Sequence, residues 1–148
     1  MILRDFKVFN TSGRLLGLDW GARRTGVAIS DAERRFVFTR DPIVSASADE
    51  LISKIIGLIA QEKIAGIVIG LPLRMDGTDS DTTAMVRNFA ENLSHHTELP
   101  IIFIDETLSS ASAQEEMGRV RRTDIKEKLD SNAARVILEN AISVINRY

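Results

Sequence analysis

Apolar residues fall along the chain in two rhythms. Residues 15–18 and 25–30 are short runs rich in branched side chains, set off by Gly21, and predict two strands joined by a tight connection. Residues 36–44 supply a candidate third. In ADELISKIIGLIAQEK, Leu51, Ile52, Ile55, Ile56 and Ile59 recur at helical spacing, with Asp49 and Glu50 in the first turn where the helix dipole favours acids. An amphipathic helix is predicted there. IAGIVIGLP is a continuous apolar strand stopped by Pro72, and the loop LRMDGTDS leads to a second helix over 81–93. PIIFIDE repeats the pattern of buried strand and polar tip. A polar helical stretch over 109–117, a basic loop over 119–128 and a last helix over 125–146 complete the chain. Strands first, then strands alternating with helices, predict a mixed sheet with later members parallel and covered on both faces.

Three acids interrupt this pattern where an unpaired charge is costly. Asp19 ends the first strand. Asp105 and Glu106 end the strand IIFI, and period-two alternation lets only one of them share a face with Asp19 without saying which. Asp130 falls on the stripe 130, 134, 137, 141, 145, whose other members are Ala134, Ile137, Ala141 and Ile145. Carboxylates that converge repel one another. A divalent cation relieves this, and carboxylate oxygens suit Mg²⁺ or Mn²⁺, the arrangement on which two-metal phosphodiester hydrolysis is built. Singly, each acid also fits a structural role: Asp19 as a turn former, Asp105 or Glu106 as a solvated sheet tip, Asp130 as an N-cap.

Composition narrows the class. The 148 residues fit one domain, 1–148, with 44% hydrophobic and 27% charged residues. No cysteine is present, so packing alone holds the fold and thiolate metal sites are excluded; a cytoplasmic location is the expectation. No apolar stretch approaches the length of a membrane span, and no membrane partner is expected. Net charge is −2, yet residues 1–40 carry eight Lys or Arg against four acids, and Arg119, Arg121, Arg122, Lys126 and Lys128 precede Asp130. Either cluster could meet nucleic-acid phosphate, the first through Arg23 and Arg24, with Arg74 as a further candidate; either could equally be a solvated surface. In GLPLRMDGTDS, Asp76-Gly77 is a turn dipeptide and Thr78 or Ser80 a candidate helix cap. His95 and His96 read as exposed helix-end residues.

GLDWGARRTGVAISD, IVIGLPLRMDGTDS, IDETLSSASA and LDSNAARVILE resemble, in that order, the four motif blocks of the YqgF family, also called RuvX. The family takes its description from Holliday junction resolution and is now regarded as nucleases of ribosomal RNA maturation. The resemblance implies an α/β, ribonuclease H-like fold with a five-stranded mixed sheet and helices on both faces. It also implies an acidic triad of Asp19, Glu106 and Asp130 as catalytic and metal ligands for Mg²⁺ or Mn²⁺, and thereby favours Glu106 over Asp105. The implied activity is metal-dependent hydrolysis of nucleic acid, at the 5′ end of the precursor of 16S ribosomal RNA, with a four-way DNA junction as the alternative substrate. Two positions depart from the family pattern: Thr107 stands where arginine is common, and Trp20 where a smaller residue is usual. Junction cleavage would require a symmetric homodimer, whereas RNA processing is open to a monomer. The first block also resembles the phosphate loop of sugar kinases and actin-like ATPases, which clasp nucleotide between two such domains where this length supplies one. A nucleic-acid-binding module without metal is the remaining alternative.

Overall fold

The computed structural model describes residues 2–3, 6, 12–105 and 122–147, the side chains of 122–131 excepted. Six strands form one sheet: β1 (Ile2–Leu3), β2 (Arg14–Asp19), β3 (Arg24–Ser30), β4 (Val37–Val44), β5 (Ile64–Leu71) and β6 (Ile101–Asp105), in the order β1-β6-β5-β2-β3-β4. The first four in that order run parallel, and β3 and β4 are added antiparallel. The sheet therefore has one strand more than the family resemblance implies. The addition is the two-residue β1, too short to carry a period of its own, paired as Ile2 with Ile101.

Alternation sorts the sheet residues onto two cores. Leu16 and Leu18 of β2, Val27 and Ile29 of β3, and Ile67 and Ile69 of β5 pack with Leu51, Ile52 and Ile55 of helix α1 (Ala48–Glu62) and Val86, Phe89 and Leu93 of α2 (Asp81–Ser94). Leu15, Ala28, Val68 and Ile102 face the other way, against Ala134, Ile137, Leu138 and Ala141 of α3 (Arg122–Ile145). Each such branched side chain, fully buried, contributes about 1.5–3 kcal/mol. Central strand β5, covered on both faces, is apolar throughout, and β2 is apolar between Arg14 and Asp19. Edge strand β4 is mostly exposed and carries Pro42, whose missing N–H an edge tolerates.

Local signals set the ends of the helices. The Ser47 hydroxyl accepts the amide of Glu50 to start α1, and Lys63, in the left-handed region at φ 54°, ends it by donating its N–H to Ile59. Ser80, not Thr78, caps α2, in a reciprocal box with Thr83. Helix α3 starts at Arg122, so Arg122, Lys126 and Lys128 belong to a helix and not to the predicted basic loop. The physical reason is composition: residues 122–130 contain neither glycine nor proline, and lysine, glutamate and leucine are strong helix formers. The predicted helical stretch over 109–117 lies outside the described residues.

Helix α3 lies close against the sheet at Gly17 of β2. A Cβ built there would lie 2.8 Å from Leu138 Cβ and 3.1 Å from the carbonyl oxygen of Ala134. Gly17→Ala is expected to push α3 away from β2 and to cost about 1–3 kcal/mol, the usual penalty of overpacking, seen as a lower urea midpoint. An unchanged midpoint would show that the helix yields without cost.

Candidate functional site

Strands β2, β5 and β6 are parallel and end at one edge of the sheet. Asp19, half-buried, is the last residue of β2. Leu15 and Gly17 both face α3, so alternation places Asp19 on the α3 face too. Its antiparallel partner is Gly26. On the other side Leu18 pairs with Ile69, so Gly70 comes next in the register. Two glycines thus stand beside the aspartate on the neighbouring strands.

The direction of α3 decides what else reaches this edge. Its C-terminal residues Ile142, Ser143 and Asn146 share a surface hollow with Arg34, Arg35 and Phe36, the turn between β3 and β4. That turn lies at the opposite edge, where β2 begins. The N-terminal half of α3 therefore runs toward the end of β2, and Asp130 stands one helical turn before Ala134, which packs beside Gly17.

Asp105 points away from this place. It pairs with Leu71, a member of the α1/α2 core, and Phe103 two residues earlier packs on that same core. Asp105 and Asp19 thus lie on opposite faces. Glu106 follows directly and lies outside the described residues, as do Arg119 and Arg121. No group of three acids or histidines able to hold a metal occurs among the described residues. His95 and His96 are exposed at the C-terminal end of α2, and the His96 Nδ1 lies 2.9 Å from the carbonyl of Asn92. They take no part in the edge at Asp19.

The described basic residues of the first forty divide into two sets, Arg4 and Lys7 lying outside the described residues. Glu62 holds Arg14 at 2.8 Å and Arg40 at 3.4 Å, clamping β2 and β4 to the end of α1. Arg34 is buried and donates Nε–H to the carbonyl of Gly13, and burial lowers its pKa from the ordinary arginine value. Arg35 pairs with Glu33 at 3.3 Å. These four shape the opposite edge and α1. Arg23 and Arg24, by contrast, stand in and after the turn that follows Asp19. Arg74 is exposed in the turn after β5, at the same edge. Asp76 fixes that turn by accepting the Thr78 hydroxyl at 2.6 Å and its amide at 3.0 Å, which holds its carboxyl below the usual range. Gly77, at φ 83°, closes it with a hydrogen bond to the carbonyl of Arg74. The loop is thus a built turn that presents Arg74.

A mixed sheet with α1 and α2 on one face and α3 on the other is the ribonuclease H-like architecture. RuvC of T. thermophilus in complex with Holliday junction substrate superposes with a TM-score of 0.59 at 7% identity, covering 91% of this chain and 96% of that one. A second RuvC structure from Thermus thermophilus gives 0.54, also at 7% identity, over 90% and 96%. The chain belongs to the RuvX family: the family model described as "RuvX: Holliday junction resolvase" matches residues 13–144. A relative from Maridesulfovibrio salexigens is 43% identical over 128 residues, 85% of this chain and 95% of its own length. Another from Rickettsia canadensis is 34% identical over 156 residues and the whole of both chains. Both bear the name "Putative pre-16S rRNA nuclease".

Gly21 shapes the turn between Asp19 and the two arginines. A Cβ at this position would lie 2.2 Å from the carbonyl oxygen of Arg24, so a side chain forces the backbone to move. Gly21→Ala is expected to lower stability by about 1–3 kcal/mol and to shift the amide resonances of Asp19 and Gly26. Unchanged melting and an unchanged spectrum would show the turn to be free of this constraint.

Proposed function

We propose that the protein is a metal-dependent nuclease that hydrolyses phosphodiester bonds at the 5′ end of the precursor of 16S ribosomal RNA, with Asp19, Glu106 and Asp130 as its catalytic acids. The observation that carries this reading is the setting of Asp19. It is a half-buried carboxylate at a strand tip, flanked by glycines, on the face that α3 covers and at the edge toward which the start of α3 runs. Family membership and the names of the relatives give that setting its chemistry.

The donor set fits a hard cation. It consists of carboxylate oxygens, the chain has no cysteine, and both histidines stand at the far end of α2. Oxygen donors of this kind favour Mg²⁺ or Mn²⁺. Bound there, such an ion lowers the pKa of a water nucleophile and offsets charge on the phosphate in the transition state. Asp19 would hold it from β2, Glu106 from the residue after β6, and Asp130 from α3. Period-two alternation supports Glu106 over Asp105, because Asp105 lies on the opposite face from Asp19. Arg23, Arg24 and Arg74 at the edge, with Arg119, Arg121, Arg122, Lys126 and Lys128 in and before the start of α3, meet the phosphates on either side of the scissile bond.

Asp19→Asn keeps the size and one carbonyl oxygen while removing the charge. The variant is expected to lose Mn²⁺- or Mg²⁺-dependent cleavage of a precursor RNA, to keep binding that RNA, and to melt no lower than wild type, since carboxylate repulsion is relieved. Equal cleavage by wild type and variant would assign the activity to another site or protein. A four-way DNA junction serves as the second substrate: paired cuts in it by a dimeric species would favour junction resolution.

The basic residues around the start of α3 allow an independent test. Each lysine or arginine that neutralises a phosphate contributes nearly one unit to the slope of log affinity against log salt. Replacing Arg121 and Arg122 together by alanine is expected to weaken RNA binding and flatten that slope by up to about two units without changing the melting temperature. Unchanged slope and affinity would make this segment a solvated surface.

A further inference from the structure

Across the sheet from Asp19, at the same edge, a cavity of about 420 Å³ opens between the start of α1 and the outer side of α2. Trp20 forms part of its wall. The residue follows Asp19 directly, packs with the α1/α2 core, and lies with its ring centroid 6.4 Å from that of Phe89, the planes inclined by 33°. Leu51 lies deeper and Met85, 52% exposed, lines the mouth. Asn88 and Asn92, four residues apart on α2, add two side-chain amides. Ser45 and Ala46 are shared with an adjoining hollow lined by Arg23. Glu50 lines that hollow as well, but Lys54 lies 3.0 Å from its carboxylate and the pair lowers its pKa.

We propose that this cavity receives one unpaired nucleobase of a single-stranded RNA, stacked on Trp20, with its polar edge held by the amides of Asn88 and Asn92 and a neighbouring phosphate held by Arg23. The ligand's identity rests on the nuclease reading of the Asp19 edge; the site itself is a separate one. An aromatic wall beside amide donors and acceptors is the chemistry by which unstacked bases are recognised, and the cavity falls within the usual size of ligand pockets. Position supplies the rest. The Cα atoms of Asp19 and Trp20 are about 3.8 Å apart and their side chains lie on opposite faces, so a strand crossing the edge at Asp19 passes the mouth of the cavity. A paired duplex keeps its bases stacked inside and offers none to Trp20. The cavity therefore selects substrates with an unpaired segment next to the cleavage site over fully paired arms.

Trp20 is the single tryptophan of the chain, so its fluorescence reports on this site alone. A mixed-sequence RNA hexamer, added in EDTA to prevent cleavage, is expected to quench that emission. The same strand with abasic residues is expected to quench it several-fold less, and a blunt RNA duplex hardly at all. Trp20→Ala and Asn88→Ala should each weaken hexamer binding, measured with a labelled strand, by about tenfold, within the range a stacked base contributes. Asn88 is exposed on α2, so its variant keeps the test decisive even where loss of Trp20 from its packing on Phe89 disturbs the fold. Wild type that cuts RNA in Mn²⁺ while the hexamer leaves Trp20 unquenched and Asn88→Ala binds as wild type would overturn the cavity's role and leave the nuclease reading standing. Base-dependent quenching in a protein that cuts nothing would do the reverse. Emission that changes with protein concentration alone, and not with RNA, would assign the cavity to a second copy of the chain and overturn the proposal.

Discussion

The approach of α3 to β2 at Gly17 sets the geometry on which the candidate site depends. A single missing methyl group lets Leu138 and the backbone of Ala134 sit against the strand, and any side chain at position 17 would stand closer to Leu138 Cβ than atoms normally pack. Asp19 lies two residues further along the same face, and Asp130 lies one turn earlier on the same helix. The distance between strand and helix is thus fixed at the residue pair next to both acids. Ala133 and Ala134, both buried, belong to the same accommodation: small residues on the helix meet a small residue on the strand. A larger residue at any of these points would widen the gap between the strand that ends in Asp19 and the helix that carries Asp130, so packing density and the geometry of this edge are one constraint here.

Charge in this protein is partitioned by position, which its average of −2 conceals. The arginines remote from the site are consumed by structure. Arg14 and Arg40 converge on Glu62, whose side chain is 20% exposed, and Arg34 is drawn into the interior to reach the carbonyl of Gly13. Partly exposed ion pairs such as those of Glu62 contribute little to stability, about 0–1 kcal/mol each, but they tie β2 and β4 to the end of α1. Arg23 and Arg74 remain on the surface at the end of β2 and β5. A count of basic residues in the first forty positions therefore overstates what nucleic acid can meet, and only the fold separates the two sets.

The main elements were legible because their signals are local. Branched runs gave β2, β3 and β5, the spacing of Leu51, Ile52 and Ile55 gave α1, and Pro72 ended β5 where its missing N–H demands. What escaped the sequence depended on partners distant along the chain. Two residues of β1 have no periodicity and are strand only because Ile101 lies beside Ile2. The basic run before Asp130 reads as loop by charge and folds as helix from Arg122 by propensity. Alternation alone could not choose between Asp105 and Glu106, because the face used by β6 is fixed by its pairing with β5, where Leu71 carries Asp105 toward the α1/α2 core. Gly17 carried a readable signal, a glycine amid branched residues, but its meaning required knowing that Ala134 lies opposite. Trp20 stands out in the sequence only by its size, and it packs on Phe89; the cavity beside it is a tertiary feature without a sequence mark.

Period two has one further consequence at the end of β2. A strand that stops at a sheet edge presents its last residues to opposite faces, so adjacent positions in sequence serve different chemistries. Asp19 turns to the face where glycines stand at 26 and 70 on the neighbouring strands and α3 brings its own acid-bearing end. Trp20 turns to the face where α1 and α2 diverge around a cavity. Gly21 then brings the chain back so tightly that the carbonyl of Arg24 occupies the space of its missing side chain. The turn cannot lengthen without separating the arginines from the aspartate, nor slip by one residue without exchanging the two faces. A carboxylate and an aromatic ring are thereby held back to back across a single sheet, each position depending on the register that fixes the other.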